Sequence, residues 1–335
     1  MRRCTVVMFL VLALAMPLAL AQSGGRQEQP PYPEQIDPFT GDYEGRWCEE
    51  EDVDPEVAAQ VVPLGRDRYF VRIVAKLDMR CPPHLETEAQ AKDGVIEIDE
   101  KGIEAVIKDG TITGGRGRMK TFEMQKVTRL SPTLGLEPPE NAVVLFDGSD
   151  LDAWNSAKGW EILDEGILQV SDDADTLKSK QQFKDCTFHI EFRLPYLPRL
   201  RGQQRGNSGV FLQGTYECQV LDSYGLDGFN NECGALYKVA APKVNACAPP
   251  MQWQTYDIEY TAPRFDENGE VAVYPAMTVR HNGVLIHNDQ ELPWITGWKE
   301  KDRLKPPPSE PGSVELQAHN NFMQYRNIWI VPKDE

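Results

Sequence analysis

Apolar and polar residues alternate with a period of two along most of this chain, and helical periodicity is nearly absent. Successive side chains of a strand point to opposite faces, so residues 186–194 would place Phe188, Ile190 and Phe192 in a core. The same strand would place Thr187, His189, Glu191 and Arg193 on the outside. Asn282-Gly283 joins two such runs and is typical of a two-residue hairpin turn. The pattern predicts an all-β fold, either a sandwich or a jelly roll.

Changes in composition divide the chain into five parts. Gln, Pro and Gly dominate the residues just before the first β-like run, and a second Pro-rich stretch separates two groups of runs. We expect, in order, a signal peptide at 1–21, a disordered leader at 22–40, a small antiparallel β module of unknown role at 41–129, a Pro-rich linker at 130–141 and a second β domain at 142–335.

The first residues predict export. They combine Met-Arg-Arg, an apolar run and Ala19-Leu20-Ala21, which is the pattern of a cleavable secretory signal. The run is short for a membrane-spanning helix and contains Pro17, so stable membrane insertion is not expected. We therefore expect a periplasmic or extracellular protein.

Charge narrows the choice of partner. The net charge is −17, and removal of the two arginines in the signal peptide makes it −19. A charge of this sign disfavours nucleic acid and anionic membrane surfaces. It is compatible with a neutral sugar, and the sequence identifies no protein partner.

Six cysteines remain after removal of the signal peptide, and an even number in an exported chain predicts three disulfides. The sequence does not determine the connectivity. Cys48 and Cys81 lie far from the others and are expected to pair within the first module. A Cys233–Cys247 bond would close a short loop, which leaves Cys186 with Cys218. A zinc site is the weaker interpretation, because no Cys-x-x-Cys pair is present.

Residues 205–224 concentrate polar side chains in a predicted β-hairpin. Two alternating runs, 208–213 and 216–222, flank a short turn at Gly214-Thr215. Glu217 and Gln219 share one face of the second run, with Arg205 and Asn207 at the start of the first. A carboxylate beside an amide suggests a site for a polar ligand such as a sugar. The alternative is a solvated outer face, which antiparallel sheets often have.

Further polar and aromatic residues are candidates for the same site. His319 shares a strand face with Glu315 and Gln317, where it could act as an acid, a base or a metal ligand, although a lone histidine is more often structural. His281 and His287 flank a tight turn and are expected at the surface. Aromatic side chains offer stacking platforms for a sugar, with core packing as the alternative for the first two: Trp253, Tyr256, Trp294 and Trp298.

Several separated motifs in the second domain resemble the 3-keto-disaccharide hydrolase domain family. The resemblance covers about residues 142–333 and excludes the first module. The matching segments follow in order: Val144-Leu-Phe-Asp-Gly-Ser-Asp-Leu-Asp-Ala-Trp154, Gly206-Asn-Ser-Gly-Val-Phe-Leu-Gln213, Tyr216-Glu-Cys-Gln-Val-Leu-Asp-Ser223, Pro250-Met-Gln-Trp-Gln-Thr-Tyr-Asp-Ile258, His281-Asn-Gly-Val284, Leu316-Gln-Ala-His319 and Tyr325-Arg-Asn-Ile-Trp-Ile330.

The resemblance implies a concanavalin A-like jelly roll that cleaves 3-keto-glycosides, by hydrolysis or by 1,2-elimination followed by hydration. The family's Glu-x-Gln strand matches Glu217 and Gln219. Cys218 replaces a residue that is usually aliphatic there, and the long insert through Cys247 suggests a variant pocket stapled by disulfides.

The chemistry assigns roles to the candidate residues. A ketone at C3 acidifies the C2 proton, so a site needs a base, a stabiliser of the enolate oxygen and an acid for the leaving group. Glu217 is the candidate base, His319 the acid, and Arg205 or a bound divalent cation the stabiliser; no cofactor is otherwise implied. The expected substrate-binding residues are Asn207, Gln219, Gln317, Asp222 and Tyr237.

Other functions remain open. The same sandwich could be a carbohydrate-binding module without catalysis, or an adaptor whose first module docks a partner. Glu217 and Asp222 could serve a retaining glycosidase if a bulge brought them roughly 5 Å apart. Asp222 could instead simply begin the following turn.

Overall fold

The structure is a computed structural model that describes residues 32–33, 36–48, 55–117, 120–171, 173–297 and 305–333. The expected signal peptide, most of the expected leader and Trp298 lie outside these residues. Nearly all of the regular secondary structure in the described chain is antiparallel strand, which confirms the all-β prediction. None of the described residues forms a helix long and apolar enough to cross a bilayer.

The first eight strands form a closed barrel. They run in sequence order, and β8 pairs with β1 to complete the closure. Two-residue turns with positive φ at both positions connect neighbouring strands, including Asp93-Gly94 and Asp109-Gly110. The strands are β1 (Gly41–Trp47), β2 (Glu56–Gly65), β3 (Arg68–Val74), β4 (Leu85–Lys92), β5 (Val95–Glu100), β6 (Ile103–Lys108), β7 (Thr111–Arg116) and β8 (Lys120–Val127).

The remaining strands form a two-sheet sandwich. The larger sheet has the order β10-β11-β22-β13-β16-β19-β20, with β9 also paired to β22, and the smaller has the order β12-β21-β14-β15. The strands are β9 (Val143–Phe146), β10 (Trp160–Leu163), β11 (Ile167–Val170), β12 (Leu177–Phe183), β13 (Cys186–Arg193), β14 (Ser208–Leu212), β15 (Tyr216–Val220), β16 (Trp253–Thr261), β17 (Arg264–Phe265), β18 (Val271–Val273), β19 (Ala276–His281), β20 (Val284–Glu291), β21 (Gly312–Leu316) and β22 (Gln324–Pro332).

One apolar core lies between the two sheets. Phe188, Ile190 and Phe192 of β13 are fully buried in it, as their alternation predicted. The smaller sheet contributes Val210 and Val220 to the same core. Asn282-Gly283 forms the predicted turn between β19 and β20, with positive φ at both residues. The jelly-roll prediction for this domain is therefore confirmed.

The segment predicted as a linker is packed against the outer face of the larger sheet. Ser131 Oγ lies 2.6 Å from Thr255 Oγ1, and Thr133 donates a 2.7 Å hydrogen bond to Asp257. The backbone N–H of Gly135 donates to the carboxylate of Glu191 at 2.5 Å. This part of the chain is thus a fixed layer over the sheet rather than a free spacer.

His189 and Glu191 lie on the outer face of β13, as predicted, but the preceding segment covers them there. Both side chains are fully buried. His189 Nδ1 lies 2.6 Å from Asp257 Oδ1, and Arg326 donates to Glu191 at 2.6 Å. Burial lowers the pKa of His189, but the hydrogen bonds and charges of Asp257 and Glu191 outweigh it and raise that pKa overall.

The barrel contacts the sandwich through both apolar and polar side chains. Val62 of β2 belongs to the sandwich core rather than to the barrel core. The hydroxyl of Tyr224 donates to Asp42 at 2.8 Å, and Arg129 donates to the other oxygen of the same carboxylate at 2.8 Å. A Cβ on Gly225 would lie only 2.3 Å from Val62 Cγ2, so the two domains touch at a position where no side chain fits.

Candidate active site on the smaller sheet

The polar face identified in the sequence lies on the side of the smaller sheet that points away from the core. Glu217 and Gln219 occupy this face of β15, whereas Cys218 between them is buried in the core. The face is not solvated, because Glu217 and Gln219 expose only 5% and 1% of their surface to solvent. A buried carboxylate beside a buried amide favours a ligand site over a wet outer face.

A segment between β15 and β16, residues 221–250, covers the outer edge of β15; we call it the covering segment. Its backbone bonds to the edge strand: Gly234 N–H donates to Gln219 O at 2.9 Å, and Tyr237 N–H to Glu217 O at 3.0 Å. Thr296, from a later loop, accepts the Glu217 N–H at 3.0 Å. The strand that carries the candidate base is therefore held on its open edge as well as by β14.

The carboxyl group of Glu217 lies over Gly209 of β14. A Cβ at Gly209 would stand 2.4 Å from Glu217 Oε1, so the glycine leaves the room that the carboxyl occupies. Burial raises the pKa of Glu217 to about 8. A carboxyl with that pKa is a stronger base than an ordinary one once ionised, and it exchanges protons near neutral pH.

Three amide side chains form a connected group beside Glu217. Gln203 Oε1 accepts hydrogen bonds from Asn207 Nδ2 at 3.3 Å and from Gln219 Nε2 at 3.1 Å. The structure thus brings together Asn207 and Gln219, both predicted to bind substrate. Gln203 was missed, because it lies in an irregular turn (Gly202–Gln204, a single 3₁₀ turn) that carries no sequence pattern. Thr296 was missed for the same reason.

Gln317 and His319 continue from β21 on the other side of β14. The backbone N–H of Gln317 donates to Gly209 O at 2.9 Å, so Gln317 and Gln219 flank Gly209 from opposite strands, about 10 Å apart. Beyond them, Asn321 bonds to His319 O at 2.8 Å and accepts the Gly206 N–H at 2.9 Å. These bonds hold the His319 segment next to the start of β14.

Arg205 and Asp222 form a buried ion pair at the junction with the barrel. Arg205 Nε donates to Asp222 Oδ2 at 2.5 Å, and Nη1 reaches Pro63 O of β2 at 3.4 Å. Asp222 Oδ1 also accepts the Tyr224 N–H at 3.3 Å, as expected of a residue that begins a turn. This geometry favours a structural role for the pair, and their roles with substrate stay predictions.

Tyr237 is held close to the candidate base. It lies in the covering segment, is 7% exposed, and its backbone bonds to Glu217 as described above. Tyr256 is a core residue whose hydroxyl donates to Gln219 O at 2.7 Å. Trp253 lies on the outer face of the larger sheet, where the guanidinium of Arg326 stacks on it at 4.2 Å. Neither of these two aromatic residues is a stacking platform on the smaller sheet.

The predicted disulfides are wrong in this structure, because all six cysteines are free thiols. Cys186 begins β13 of the larger sheet and Cys218 lies in β15 of the smaller one, so the core separates them. Cys233 is close to Cys247, but its Sγ contacts the hydroxyl of Tyr256 at 3.2 Å. In the first module Cys48 is exposed after β1, whereas Cys81 is half-buried and hydrogen-bonds to Lys76 O at 3.5 Å.

The prediction that His281 and His287 are surface residues is also wrong. Both are buried, because the covering segment packs over the β19–β20 hairpin. His287 Nε2 lies 2.8 Å from Gly234 O, and burial lowers its pKa to about 4. Burial likewise lowers the pKa of His281, to about 3, so both rings are neutral at physiological pH.

Among the residues that the structure describes, no group of three His, Cys, Asp or Glu side chains is placed to hold a metal ion. Glu315, the other carboxylate on this face, is paired with Lys178 at 2.9 Å and accepts from Ser313 at 2.9 Å. The described site is therefore built from one buried carboxyl group and several amides, with the His319 backbone held nearby by Asn321.

Comparison with known proteins agrees with this geometry. A family model for the 3-keto-alpha-glucoside-1,2-lyase-like domain matches residues 141–331. The chain belongs to this family. The match contains both sheets of the sandwich and every candidate site residue, and it excludes the barrel. No curated protein sequence matches the chain.

Solved structures give the same result. A protein from Parabacteroides distasonis ATCC 8503, described provisionally as a glycosyl hydrolase, is 40% identical, with a TM-score of 0.53 over 58% of this chain and 85% of its own. Two further proteins of that organism with the same description are 18% and 19% identical, cover 58% and 57% of this chain and 95% and 99% of their own, and have TM-scores of 0.42 and 0.41. With TM-scores below 0.5, these two structures are too dissimilar to support a conclusion about this chain. The family and the first structure support a carbohydrate-active, glycoside-cleaving function.

Proposed function

We propose that the sandwich domain cleaves 3-keto-α-glucosides, with Glu217 as the base that removes the C2 proton. The observation that carries the proposal is the buried carboxyl of Glu217 over Gly209, whose pKa burial raises to about 8. An α-keto C–H is a weak acid, so a carboxyl that is several units more basic than usual suits its removal. The membership in a lyase-like family supports the same chemistry.

The proposed reaction proceeds through an enolate. Glu217 takes the C2 proton, and the electron pair forms the C2=C3 bond of the enolate, with the negative charge on the C3 oxygen. The C3 ketone then re-forms as the pair moves to C1=C2, and the C1–O bond breaks as the leaving oxygen takes a proton from His319. Water then adds across the new double bond, with its proton returning to C2. Gln219, Asn207 and Gln317 would orient the sugar hydroxyls. The enolate oxygen needs a donor. Asp222 and Pro63 accept from two nitrogens of Arg205, and its third nitrogen, Nη2, is buried without a hydrogen-bond partner among the described residues.

The first experiment compares substrates. The protein is incubated with 3-keto-trehalose, a 3-keto-α-glucoside and their unoxidised forms, with and without a chelator. We expect release of the aglycone from the keto sugars alone. Cleavage of the unoxidised glucosides would support a retaining glycosidase, and binding without product would support a carbohydrate-binding module.

Deuterated water separates elimination from direct hydrolysis. Elimination and hydration place solvent deuterium at C2 of the product, whereas direct hydrolysis leaves the original hydrogen there. A control in which the product alone stands in the same solvent corrects for spontaneous exchange next to the ketone. Product without enzyme-dependent deuterium would refute the elimination step and leave the substrate assignment intact.

Substitution tests the base directly. Glu217→Gln is expected to lower kcat by about 10²–10⁴-fold, since a general base contributes that range. Glu315→Gln, on the same face but bound to Lys178, is the matched control and should stay within a few-fold of wild type. In the wild type, kcat/KM should rise with pH up to about 8 as Glu217 ionises. A fall across that range would mean that Glu217 acts as an acid.

We further propose that the protein is exported and acts outside the cytoplasm. The residues that support this lie in the signal-like pattern at 1–21. Mass spectrometry of the N-terminus of the protein produced in a bacterial host tests it: cleavage after Ala21 is expected, and an intact N-terminus would contradict it.

A further inference from the structure

Two backbone carbonyl groups fix the orientation of the amide group beside Glu217. Asn207 Nδ2 donates to the backbone oxygen of Gln203 at 2.8 Å, so its amide cannot be turned round without placing two acceptors together. Gln203 Nε2 donates to the backbone oxygen of Asn231 at 2.8 Å, which fixes the Gln203 amide in the same way. Gln203 Oε1 is therefore an acceptor, and Gln219 must present Nε2 to it.

This arrangement leaves two carbonyl oxygens without donors. Asn207 Oδ1 and Gln219 Oε1 have no hydrogen-bond partner among the described residues. The side chains that carry them are 2% and 1% exposed. A buried acceptor without a donor costs about 1–3 kcal/mol, so each oxygen favours a ligand that brings a donor.

The surroundings favour a neutral donor over a cation. The two oxygens belong to neutral amides, and the described residues hold no group of three His, Cys, Asp or Glu side chains that could bind a metal ion beside them. Amide oxygens that are fixed in direction are well suited to hydroxyl groups. Both side chains are nearly enclosed, so binding of a sugar requires a local displacement of the side chains around them.

We propose that Asn207 Oδ1 and Gln219 Oε1 each accept a hydrogen bond from a different hydroxyl group of the sugar, and that Gln203 is the positioning residue that aims them. The inference rests on the proposed sugar substrate. It adds separate roles for the backbone and the side chain of Gln203. The backbone oxygen of Gln203 gives Asn207 its shorter hydrogen bond, 2.8 Å against 3.3 Å from the side chain, whereas Gln203 contacts Gln219 through its side chain alone. A substitution of the side chain should therefore abolish recognition of one hydroxyl and preserve recognition of the other.

The test measures binding of methyl α-glucoside and its 2-, 3-, 4- and 6-deoxy derivatives to the full chain by calorimetry. In the wild type, removal of either of two hydroxyls should weaken binding by roughly fivefold to tenfold. In Gln203→Leu, one of these two effects should disappear and the other remain. Gln203→Glu keeps an acceptor oxygen for Gln219, and its protonated form can donate to Asn231 O in place of Nε2, so the wild-type pattern should return at acidic pH. Thermal unfolding of each variant confirms that it is folded.

The possible results are distinct. Two unchanged deoxygenation effects in Gln203→Leu, or equal weakening of every sugar, would overturn the positioning role. A rise in Tm with Ca²⁺ or Mg²⁺ in the wild type but not in Gln203→Leu would mean that the oxygens hold a cation, and would overturn the hydroxyl assignment. Absence of any sugar binding, together with no turnover of a 3-keto-α-glucoside by the wild type, would count against the proposed function itself.

Discussion

Replacement of Glu217 by glutamine should make the protein more stable while it removes activity, and the gain should depend on pH. Glutamine has nearly the same shape as a protonated glutamate but carries no proton to lose. The folded protein holds Glu217 in its neutral form because burial raises the pKa from 4.5 to about 8. The unfolded chain exposes the same carboxyl to water, where it ionises at its ordinary pKa.

The sign and size of the effect follow from linkage. Below about pH 4.5 the carboxyl is protonated in both states, so it does not affect the free energy of unfolding. As pH rises from 4.5 to 8 the unfolded state alone loses the proton, and the wild type loses about 1.4 kcal/mol per pH unit. With a shift from 4.5 to about 8, the loss reaches about 3 kcal/mol at pH 7 and about 5 kcal/mol above pH 8. Glu217→Gln avoids this loss.

The assay is urea unfolding of wild type and Glu217→Gln at several pH values between 4 and 9, followed by tryptophan fluorescence. The difference in the free energy of unfolding between wild type and variant at one pH cancels the contributions of the titratable groups that the two proteins share. The gap should be near zero at pH 4 and should widen until about pH 8. Glu97→Gln, which removes an exposed carboxylate of the barrel, should stay within about 0.5 kcal/mol throughout. Parallel curves for wild type and Glu217→Gln would refute the argument that burial holds this carboxyl neutral.

Three further changes test other parts of the structure. Gly209→Ala should lower kcat at least tenfold while the fold is kept, because its Cβ must displace the carboxyl of Glu217; unchanged kcat would contradict the placement. Tyr224→Phe removes a buried hydrogen bond to Asp42 and should lower the free energy of unfolding by about 1–3 kcal/mol; an unchanged Tm would show that the bond contributes nothing. The pKa of His189 is raised in the folded protein, so its positive charge stabilises the fold below pH 6.5, and this stabilisation is lost as pH rises through the folded pKa. The decrease in Tm caused by His189→Gln should therefore be larger at pH 5.5 than at pH 9. An equal decrease at both pH values would show that the charge of His189 does not stabilise the fold.

The alternation of side chains predicted the strands well, because it follows from the geometry of the strand itself. It could not predict what covers each face. His189 and Glu191 alternate correctly with the core residues of β13, but they are buried by a distant segment, whose Gly135 lies 56 residues before Glu191 in the chain. That contact depends on the whole topology and leaves no local pattern.

The candidate site likewise contains residues that the sequence predicts and residues that it does not predict. The sequence identifies Glu217 and Gln219 because the alternation of the strand puts both on one face and because they match the family's Glu-x-Gln strand. Gln203 could not be identified, since its contacts to Asn207 and Gln219 arise only when a turn is folded over β15. The even number of cysteines predicted disulfides from composition alone, whereas bonding depends on distances that only the fold determines.

The hydrogen bonds between the covering segment and β15 have a consequence for association between molecules. An uncovered outer strand offers a row of free N–H and C=O groups to which a second chain can add a strand. Here Gly234 and Tyr237 use those groups within the same molecule, at the strand that carries Glu217. Any movement that detached this segment to admit a bulky aglycone would also expose the edge of β15, to which a strand of a second molecule could pair. Substrate binding that leaves these backbone bonds in place would therefore also keep the edge of β15 closed to a second chain.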